Sequence, residues 1–423
     1  MRGQSALNLV MTLKPGHEAE VWARLEAMRG DPGGNAILPF ARLEGVHFAR
    51  LVLLPEAFRR GGRRYPPQLV LAANIDGEIA HCLAAIAAAG GEGLSELLCH
   101  CEGFPDSADP ARVHDFLEAH RLPVRAFYVN TLGRTLAQVD LEGRLHDALR
   151  DYLDTHDWRG QSPQAVRRAL IRFVAGRDDL REALSPAEGP SRWRWLQGGA
   201  MLAAIALAGL VLALLLWPLT LLALVLLRGH EVANAPHNRR PRDAQVRRLE
   251  ADEDHGLHNQ LSAVGRIQAG PFRRLVLYPA LWLLHLASAW VFYRGKLAEV
   301  DTIHFARWVI LDGGQRVYFF SNFDGSPESY QDDFIERVAF GLNLVFSNGE
   351  GWPRTRWLLF GGASDEQAFK AYYRDHQVPT AVWYRAPAYA GRSAVNLANQ
   401  AALRAGLAGE MSEAQCRAWL RRL

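Results

Sequence analysis

The alternation of apolar and polar positions predicts short β-strands, and longer runs with apolar residues every three or four positions predict helices. In the first third of the chain these runs follow the order β-α-β-β-α-β. The predicted strands cover residues 7–13, 47–54, 68–73 and 124–130, and the predicted helices cover residues 17–28, 79–89 and 110–120. Strands and helices in this order predict an α+β fold.

The same order of runs occurs a second time, together with short motifs. The recurring motifs are His-Phe-Ala-Arg at 47–50 and 304–307, Asn-x-Asp-Gly at 74–77 and 322–325, and Glu-Gly-aromatic-Pro at 102–105 and 350–353. Corresponding residues stay between 248 and 257 positions apart, and chance does not produce such a series. We therefore predict an internal duplication. The first copy spans residues 5–150 and the second copy spans residues 258–407.

Residues 198–227 carry no charge and consist almost entirely of Ala, Leu, Ile and Val. One helix over this segment would be about 45 Å long, which exceeds the hydrocarbon core of about 30 Å. The segment therefore enters or crosses a membrane. Pro218 disrupts a continuous helix near the middle, and Arg194 and Arg228 flank the two ends.

We predict from these features a re-entrant hairpin in a bacterial inner membrane, with both copies on the cytoplasmic side. A second span at 275–293 would instead place the arginine-rich linker on the far side, against the positive-inside tendency. The remaining alternative is a single span at 198–227, with the copies pairing between two chains.

Residues 275–293 form a second apolar stretch, where the first copy has the more polar helix 17–28. A helix that packs on a sheet with one face and on lipid with the other would have this composition. We predict an interfacial helix here. The rest of the chain divides into a helical linker at 151–197, a charged linker at 228–257 and a C-terminal helix at 408–423.

Composition excludes several classes of protein. The chain has 423 residues, of which 49% are hydrophobic and 22% charged, so general disorder is excluded. A net charge of +3 argues against a nucleic-acid partner. Four cysteines are too few for a disulfide scaffold. The sequence contains no P-loop, dinucleotide-binding fingerprint or Gly-x-Ser-x-Gly motif, so the common nucleotide-dependent enzymes and serine hydrolases are disfavoured.

The duplicated β-α-β-β-α-β order resembles the ferredoxin-like dimeric α+β-barrel superfamily, in which two such units pair their sheets into a barrel. Dye-decolourising peroxidases, chlorite dismutase-like haem proteins, small monooxygenases and non-catalytic proteins belong to it. The Asp-Gly pairs at 76–77 and 324–325 resemble the Gly-x-x-Asp-Gly element of the peroxidases, although Ala73 and Ser321 replace its first glycine. The resemblance implies two ferredoxin-like repeats that form one pseudo-symmetric α+β barrel, with an inserted membrane hairpin.

The same resemblance implies haem as cofactor. Asp324 and Arg307 would then be the distal catalytic pair, with Asp76 and Arg50 at the corresponding positions of the first copy. The axial ligand would be His304 or His376, the latter of which matches His120.

The residues themselves leave simpler roles open for these side chains. Arg50 and Arg307 could close ion pairs with Asp76 and Asp324, each within its own copy. Each aspartate also stands between a strand and a helix, a typical position for a helix cap. We expect these structural roles to be more common than catalysis.

Two further segments contain residue types that bind metals. Cys99, His100 and Cys101 form one segment, and the acidic run 250–258 ends in His258. Cys-x-Cys alone is not a strong metal-binding spacing, and flexible acidic loops usually bind nothing specific. Buried free cysteines and solvated acidic loops are the more typical structures, so no metal site is assigned.

Two functions remain after these exclusions. The first is a membrane-anchored, peroxidase-like redox protein, haem-dependent, which acts on an apolar substrate that enters from the lipid. The alternative is a non-catalytic, membrane-associated module that binds a lipid or another apolar ligand. Membrane lipid is the expected partner in both cases, and the sequence leaves the oligomeric state open.

Overall fold

The computed structural model describes residues 3–58, 64–186, 192–236, 241–292 and 295–423. Residues 237–240 of the predicted charged linker and Tyr293 of the predicted interfacial helix lie outside these ranges. The chain combines antiparallel sheets with helices, and 51% of the described residues are helical and 20% are in strands or bridges. The predicted α+β class is therefore confirmed.

The strands of the described residues include two short pairs besides those of the main sheets. They are β1 (Gln4–Thr12), β2 (Val46–Leu54), β3 (Ala57–Phe58), β4 (Arg64–Tyr65), β5 (Gln68–Asp76), β6 (Val124–Val129), β7 (His258–Arg266), β8 (Ile303–Leu311), β9 (Arg316–Asp324), β10 (Thr355–Arg356), β11 (Phe360–Gly361) and β12 (Val382–Arg385).

The helices vary from two turns to more than six. They are α1 (Glu18–Arg29), α2 (Ile79–Leu98), α3 (Pro110–Ala119), α4 (Leu136–Asp154), α5 (Pro163–Ala175), α6 (Arg192–Leu215), α7 (Trp217–Ala233), α8 (Asp243–Glu250), α9 (Pro271–Trp290), α10 (Pro327–Arg337), α11 (Ala339–Phe346), α12 (Glu366–His376), α13 (Ala394–Ala405) and α14 (Glu413–Leu420).

Two four-stranded antiparallel sheets contain the main strands. The first sheet has the order β1-β5-β2-β12, and the second sheet has the order β6-β8-β9-β7. Three strands of each sheet come from one copy, and the fourth comes from the other. β6 of the first copy pairs with β8, and β12 of the second copy pairs with β2. Neither sheet is therefore complete within one copy.

The exchanged strands begin against their own copy. Just before β6, the amide of Leu122 donates to the carbonyl of Asn8 on β1, over 2.9 Å. Just before β12, the amide of Val378 donates to the carbonyl of Ser262 on β7, over 2.8 Å. Each exchanged segment thus touches the edge strand of one sheet and then forms an edge strand of the other.

Apolar side chains of the main strands pack on both faces of each sheet, because successive side chains of a strand point to opposite faces. The outer face of the first sheet packs against α1, α2 and α3, and that of the second sheet packs against α9, α10 and α12. The inner faces meet through Val52, Val70, Val309 and Phe320. Helices α4, α5, α13 and α14 form a further apolar cluster.

One helix of the described residues, Trp193–Leu215, is long and apolar enough to cross a membrane. The most apolar 18-residue window of this helix has a mean hydropathy of 2.4, and only 6% of that window is buried within the protein. Helix α7 continues the apolar segment after Leu216, whose backbone leaves the helical region with φ −104° and ψ 36°. The break lies directly before Trp217 and Pro218, where the sequence predicts it.

Both ends of this apolar segment contact the folded body. At the start of α6, Arg194 donates to the carbonyl of Ala289 over 3.2 Å, and its guanidinium lies 4.3 Å from the Trp290 ring centroid. At the end of α7, Arg228 donates to the carbonyl of Thr355 over 3.1 Å. The segment therefore leaves the body near one end of α9 and returns to the same body.

Candidate functional site: two histidine–aspartate pairs

The duplicated His-Phe-Ala-Arg motif lies on β2 and β8, and the duplicated aspartates end β5 and β9. The pairing of β2 with β5 skips a position at His47, and the pairing of β8 with β9 skips a position at His304. Such β-bulges redirect a side chain. The two histidines are thereby presented to the aspartates at the ends of the neighbouring strands.

The first pair joins His47 to Asp76. His47 Nε2 lies 2.9 Å from Asp76 Oδ1, and His47 Nδ1 lies 2.6 Å from the hydroxyl of Tyr389 in the second copy. His47 is fully buried. Burial also raises the pKa of Tyr389, so the phenol keeps its proton. His47 is therefore held on both ring nitrogens by residues from both copies.

The second pair joins His304 to Asp324. His304 Nε2 lies 2.7 Å from Asp324 Oδ1. A third side chain, His258, opens β7 opposite Asp324, and its Nε2 lies 3.6 Å from the same oxygen. At the corresponding place in the first sheet, Gln4 stands opposite Asp76. The second site therefore has a histidine that the first one lacks.

Both aspartates also cap helices, but not the helices that follow them in the chain. Asp76 Oδ2 accepts the amide of Leu136, the first residue of α4, over 2.7 Å. Asp324 Oδ2 accepts the amide of Ala394, the first residue of α13, over 2.6 Å. The expected capping role is thus present, but each aspartate caps a distant helix and not the helix that follows it in the chain. The helix after Asp324 is capped by Ser326.

The hydrogen bonds of His258 fix the position of its ring proton. Arg385 Nη1 lies 3.1 Å from His258 Nδ1, and because an arginine can only donate, Nδ1 must accept. The proton is then on Nε2, which donates to the carbonyl of Arg392 over 3.0 Å. Burial, together with the neighbouring His304, lowers the pKa of His258 to about 4. His258 is therefore neutral at physiological pH.

Among the residues that the structure describes, His258, His304 and Asp324 together could hold a metal ion. Their donor atoms lie within 4.8 Å of one another, and two imidazoles with one carboxylate suit zinc or iron. A metal-bound histidine normally donates its other ring N–H to an acceptor. At His258 that nitrogen faces a donor, Arg385. The donor set fits a metal by type and distance, while the hydrogen bonds fit a proton-sharing cluster.

Arg50 reaches from the first sheet into the second. It donates to Leu261 O (2.6 Å), Ser262 Oγ (3.0 Å), Ser321 O (2.9 Å) and Asn322 Oδ1 (2.6 Å). All of these acceptors are neutral. Burial lowers the pKa of Arg50 to about 10, so the group stays charged at neutral pH.

Arg307 makes the reciprocal contacts from the second sheet into the first. It donates to Leu7 O (2.8 Å), to Asn8 Oδ1 (3.0 Å) and to Asn74 Oδ1. Burial and the charge of Arg50 lower the pKa of Arg307. The alternative expectation, an ion pair between each arginine and the aspartate of its own copy, is wrong. Those carboxylates bind His47 and His304, and the arginines join the sheets.

The two candidate axial histidines lie in different surroundings. His304 borders a cavity of about 20 Å³, which has room for about one water molecule. His376 ends α12, stacks on Tyr372 and borders a cavity of about 640 Å³ beside Arg266 and Arg316. The structure therefore does not bring His304 and His376 to one cavity.

Sequence reasoning missed His258 and Tyr389 as members of the site. His258 ends the acidic run that was considered for cation binding, and its position opposite Asp324 depends on the register of β7. Tyr389 lies 342 positions from His47. The duplication itself carried a signal for His258. In the alignment of the two copies His258 corresponds to Gln4, so the copies differ at this position.

No protein-family model matches the chain, and neither the curated proteins nor the solved structures include a significant match.

Proposed function

We propose that this chain is a non-catalytic, membrane-associated module whose apolar surface binds lipid. The observation that carries the proposal is that both ends of the apolar segment contact one folded body, through Arg194 and Arg228. If α6 and α7 enter a bilayer, their ends must then lie on the same side. Large apolar side chains along both helices are exposed, among them Leu207, Leu214, Trp217 and Leu219.

The lengths of the helices support a re-entrant hairpin rather than a span. Gly198 lies against Trp290 at one end of α9, and His230 stacks on Phe272 at the other end. Measured from these contacts to Leu216, α6 extends about 27 Å and α7 about 21 Å, and α9 extends about 27 Å between Phe272 and Trp290. A triangle with these sides places the turn at Leu216 about 20 Å from α9, short of a hydrocarbon core of about 30 Å. The hairpin would enter the bilayer and return.

Helix α9 supports the same orientation. Leu275, Tyr278 and Trp282 are exposed on it, whereas Leu277 and Leu281 are buried against the second sheet. Aromatic side chains favour the membrane interface. We therefore propose that α9 lies in the interface at the base of the hairpin. Both copies would be on the cytoplasmic side of a bacterial inner membrane, because the arginine-rich linker between α7 and β7 stays there.

The proposed body is one pseudo-symmetric α+β barrel made of two ferredoxin-like repeats. The exchanged strands β6 and β12, which each touch both sheets, support closure of the barrel. The reciprocal contacts of Arg50 and Arg307 support the pseudo-symmetry. Apolar side chains and these two arginines fill the space between the sheets. A filled interior favours a function at the outer surface.

The haem-dependent, peroxidase-like function stays a prediction, and one observation bears on each candidate ligand. His304 is bound to Asp324 and has little free space beside it. His376 borders the cavity of about 640 Å³, which is large enough for an organic cofactor. An absorption spectrum of the purified, haem-supplemented protein tests this function. A haem band that is lost in His376→Ala, and kept in His304→Ala, would favour it over the lipid-binding module.

The topology is tested by labelling cysteines from outside the cell. Glu118→Cys lies on exposed α3 and Glu366→Cys lies on the corresponding helix α12 of the second copy. Leu216→Cys reports on the turn of the hairpin. We expect a membrane-impermeant maleimide to label none of them in intact spheroplasts, and to label Glu118→Cys and Glu366→Cys after lysis. Labelling of one copy but not the other in intact spheroplasts would contradict the hairpin and support a single span.

A further inference from the structure

The second copy contains a short hairpin at a place where the described residues 102–109 of the first copy form no strand. Corresponding residues are 248 positions apart at Glu102 and Glu350, and 256 positions apart at His120 and His376. The additional residues form the strands β10 and β11, in which Thr355 pairs with Gly361 and Arg356 pairs with Phe360. The insertion therefore adds one discrete structural element to the second copy, which is the copy that both ends of the apolar segment contact.

The turn of this hairpin exposes large apolar side chains. Trp357 is 42% exposed, Leu359 48% and Phe360 56%. Isolated exposed apolar residues are common on proteins, but a cluster of this kind marks an interaction surface. Arg354 and Arg356 flank the cluster and are exposed as well. Basic residues beside exposed aromatic residues suit the headgroup level of an anionic bilayer.

The backbone of the turn is strained. Trp357 and Leu358 have φ values of 59° and 61°, in the left-handed region that favours glycine and disfavours large side chains. Strain of this kind persists only when surrounding contacts impose it, and it concentrates at functional sites. Because Trp357 is exposed at this turn, packing within the protein core does not account for the strain.

A buried carboxylate at the end of α7 imposes the turn. Glu231 is 2% exposed and accepts the amides of Trp357 (3.1 Å) and Leu358 (2.8 Å) and the hydroxyl of Thr355 (3.0 Å). Arg228 donates to Glu231 over 2.9 Å and to the Thr355 carbonyl. The hairpin is thus fixed to the end of α7, at the base of the apolar segment.

We propose that the hairpin β10–β11 is a second membrane-inserting element, which places Trp357, Leu359 and Phe360 in the lipid at the headgroup–acyl boundary. Its partner is an anionic lipid bilayer, with Arg354 and Arg356 at the level of the phosphates. This inference rests on the proposed membrane association, because the hairpin can insert only if α7 already lies at the bilayer. It adds a contact that the apolar segment 198–227 does not contain.

The test uses a fluorescent probe whose surroundings can be read by quenchers. The full chain, with the partly accessible Cys82 and Cys99 replaced by serine, carries one added cysteine with an NBD label. The positions are Leu359→Cys on the hairpin, Leu219→Cys on α7 and Val395→Cys on α13, where Val395 is 48% exposed away from the apolar segment. The same background without an added cysteine corrects for label on other sites.

Each variant is reconstituted into phosphatidylcholine vesicles that contain phosphatidylglycerol. We expect a lipid-attached nitroxide to quench the label at 359 and at 219, with a blue-shifted emission, and aqueous iodide to leave both unaffected. The label at 395 should behave in the opposite way, because α13 lies on the body of the protein.

Three results would overturn the inference and differ in what else they exclude. If iodide quenches the label at 359 while the nitroxide quenches the label at 219, the hairpin faces water, and the proposed membrane association stands. If neither quencher lowers the fluorescence of the label at 359, a protein surface covers the hairpin. If iodide quenches the labels at 219 and 359 alike, the proposed membrane association is wrong as well.

Discussion

Arg50 and Arg307 reach across the space between the two sheets, each toward strands of the other copy. Their acceptors among the described residues are backbone carbonyls, a serine hydroxyl and the side chains of asparagines and a glutamine. The Phe320 ring lies 5.1 Å from the Arg50 guanidinium and 5.7 Å from that of Arg307. Dipoles and an aromatic face, rather than carboxylates, thus stabilise the two buried charges. This arrangement makes the arginines the polar contacts that fix one sheet on the other.

Replacing Arg50 should destabilise the chain strongly. In Arg50→Ala the carbonyls of Leu261 and Ser321 lose buried donors, which should cost about 3 kcal/mol or more. Thermal unfolding in mild detergent measures the loss. The matched control is Arg159→Ala, whose side chain is 95% exposed and which should change the unfolding temperature little. Equal shifts for both variants would contradict the role of Arg50.

Acid should destabilise the chain through His258. Its folded pKa of about 4 lies below the ordinary value of about 6.5, so the unfolded chain takes up the proton first as pH falls. The stability is therefore fully present above about pH 6.5 and is lost progressively toward pH 4, by about 2–3 kcal/mol. Unfolding temperatures measured across this range show the effect.

The variant His258→Gln copies the residue that stands opposite Asp76, Gln4, and should flatten this part of the pH profile. The exposed His156→Gln serves as its control and should leave the profile unchanged. A His258→Gln profile as steep as that of the unchanged chain would show that other groups cause the acid sensitivity.

At the scale of elements, the His-Phe-Ala-Arg motif and its aspartate occur in both copies, and small differences between the copies decide what each occurrence contacts. The bulges at His47 and His304 present both histidines to aspartates. Each aspartate also accepts the first backbone amide of a distant helix, which is α4 in one case and α13 in the other. Helix α9, in contrast, differs strongly between the two copies, because its counterpart in the first copy, α1, is more polar. One face of α9 is exposed and apolar, so the membrane-facing surface proposed for the second copy lies on this element.

The two faces of α9 should respond differently to the same substitution. Leu275 is 71% exposed and Leu277 is 1% exposed. Leu277→Ser places a hydroxyl and a cavity in the core and should cost about 3 kcal/mol. Leu275→Ser should change the free energy of unfolding in detergent by less than about 0.5 kcal/mol. Similar losses for both variants, measured by thermal unfolding, would mean that Leu275 also packs in the protein.

At the scale of the whole molecule, the exchange of β6 and β12 makes the two copies depend on each other. Each sheet takes its fourth strand from the other copy, and α4 packs on α13 while α5 packs on α14. Under the proposed function, the filled space between the sheets leaves the outer surface as the place of lipid binding, and the exposed apolar side chains of α6, α7 and α9 would face the lipid.

The interdependence predicts how fragments behave. Residues 1–186 and residues 241–423 should each fail to unfold cooperatively when produced alone in mild detergent, because each lacks a strand and a helical partner. Mixed together, they should form a complex that restores a cooperative transition and elutes as one species in size-exclusion chromatography. A cooperative transition of fragment 1–186 alone would contradict the exchange.

The sequence by itself determined the α+β class, the order of the elements, the position of the apolar segment and its break before Pro218. These features are local, because the 2.0 and 3.6 residue periods and a run without charges are set by neighbouring residues. The duplication added a comparison inside the chain, and it selected His47, Arg50, Asp76 and their counterparts as residues to examine. That comparison identified candidates without showing which of them touch.

Only the tertiary structure decided the partners. Asp76 and Asp324 bind histidines rather than arginines, Arg50 and Arg307 bind the opposite sheet, and His258 completes only one of the two sites. These contacts join positions as far as 300 residues apart, and they depend on β-bulges and on the exchange of two strands. Side chains that far apart meet only after the sheets have paired, so no local pattern of the sequence specifies their contacts.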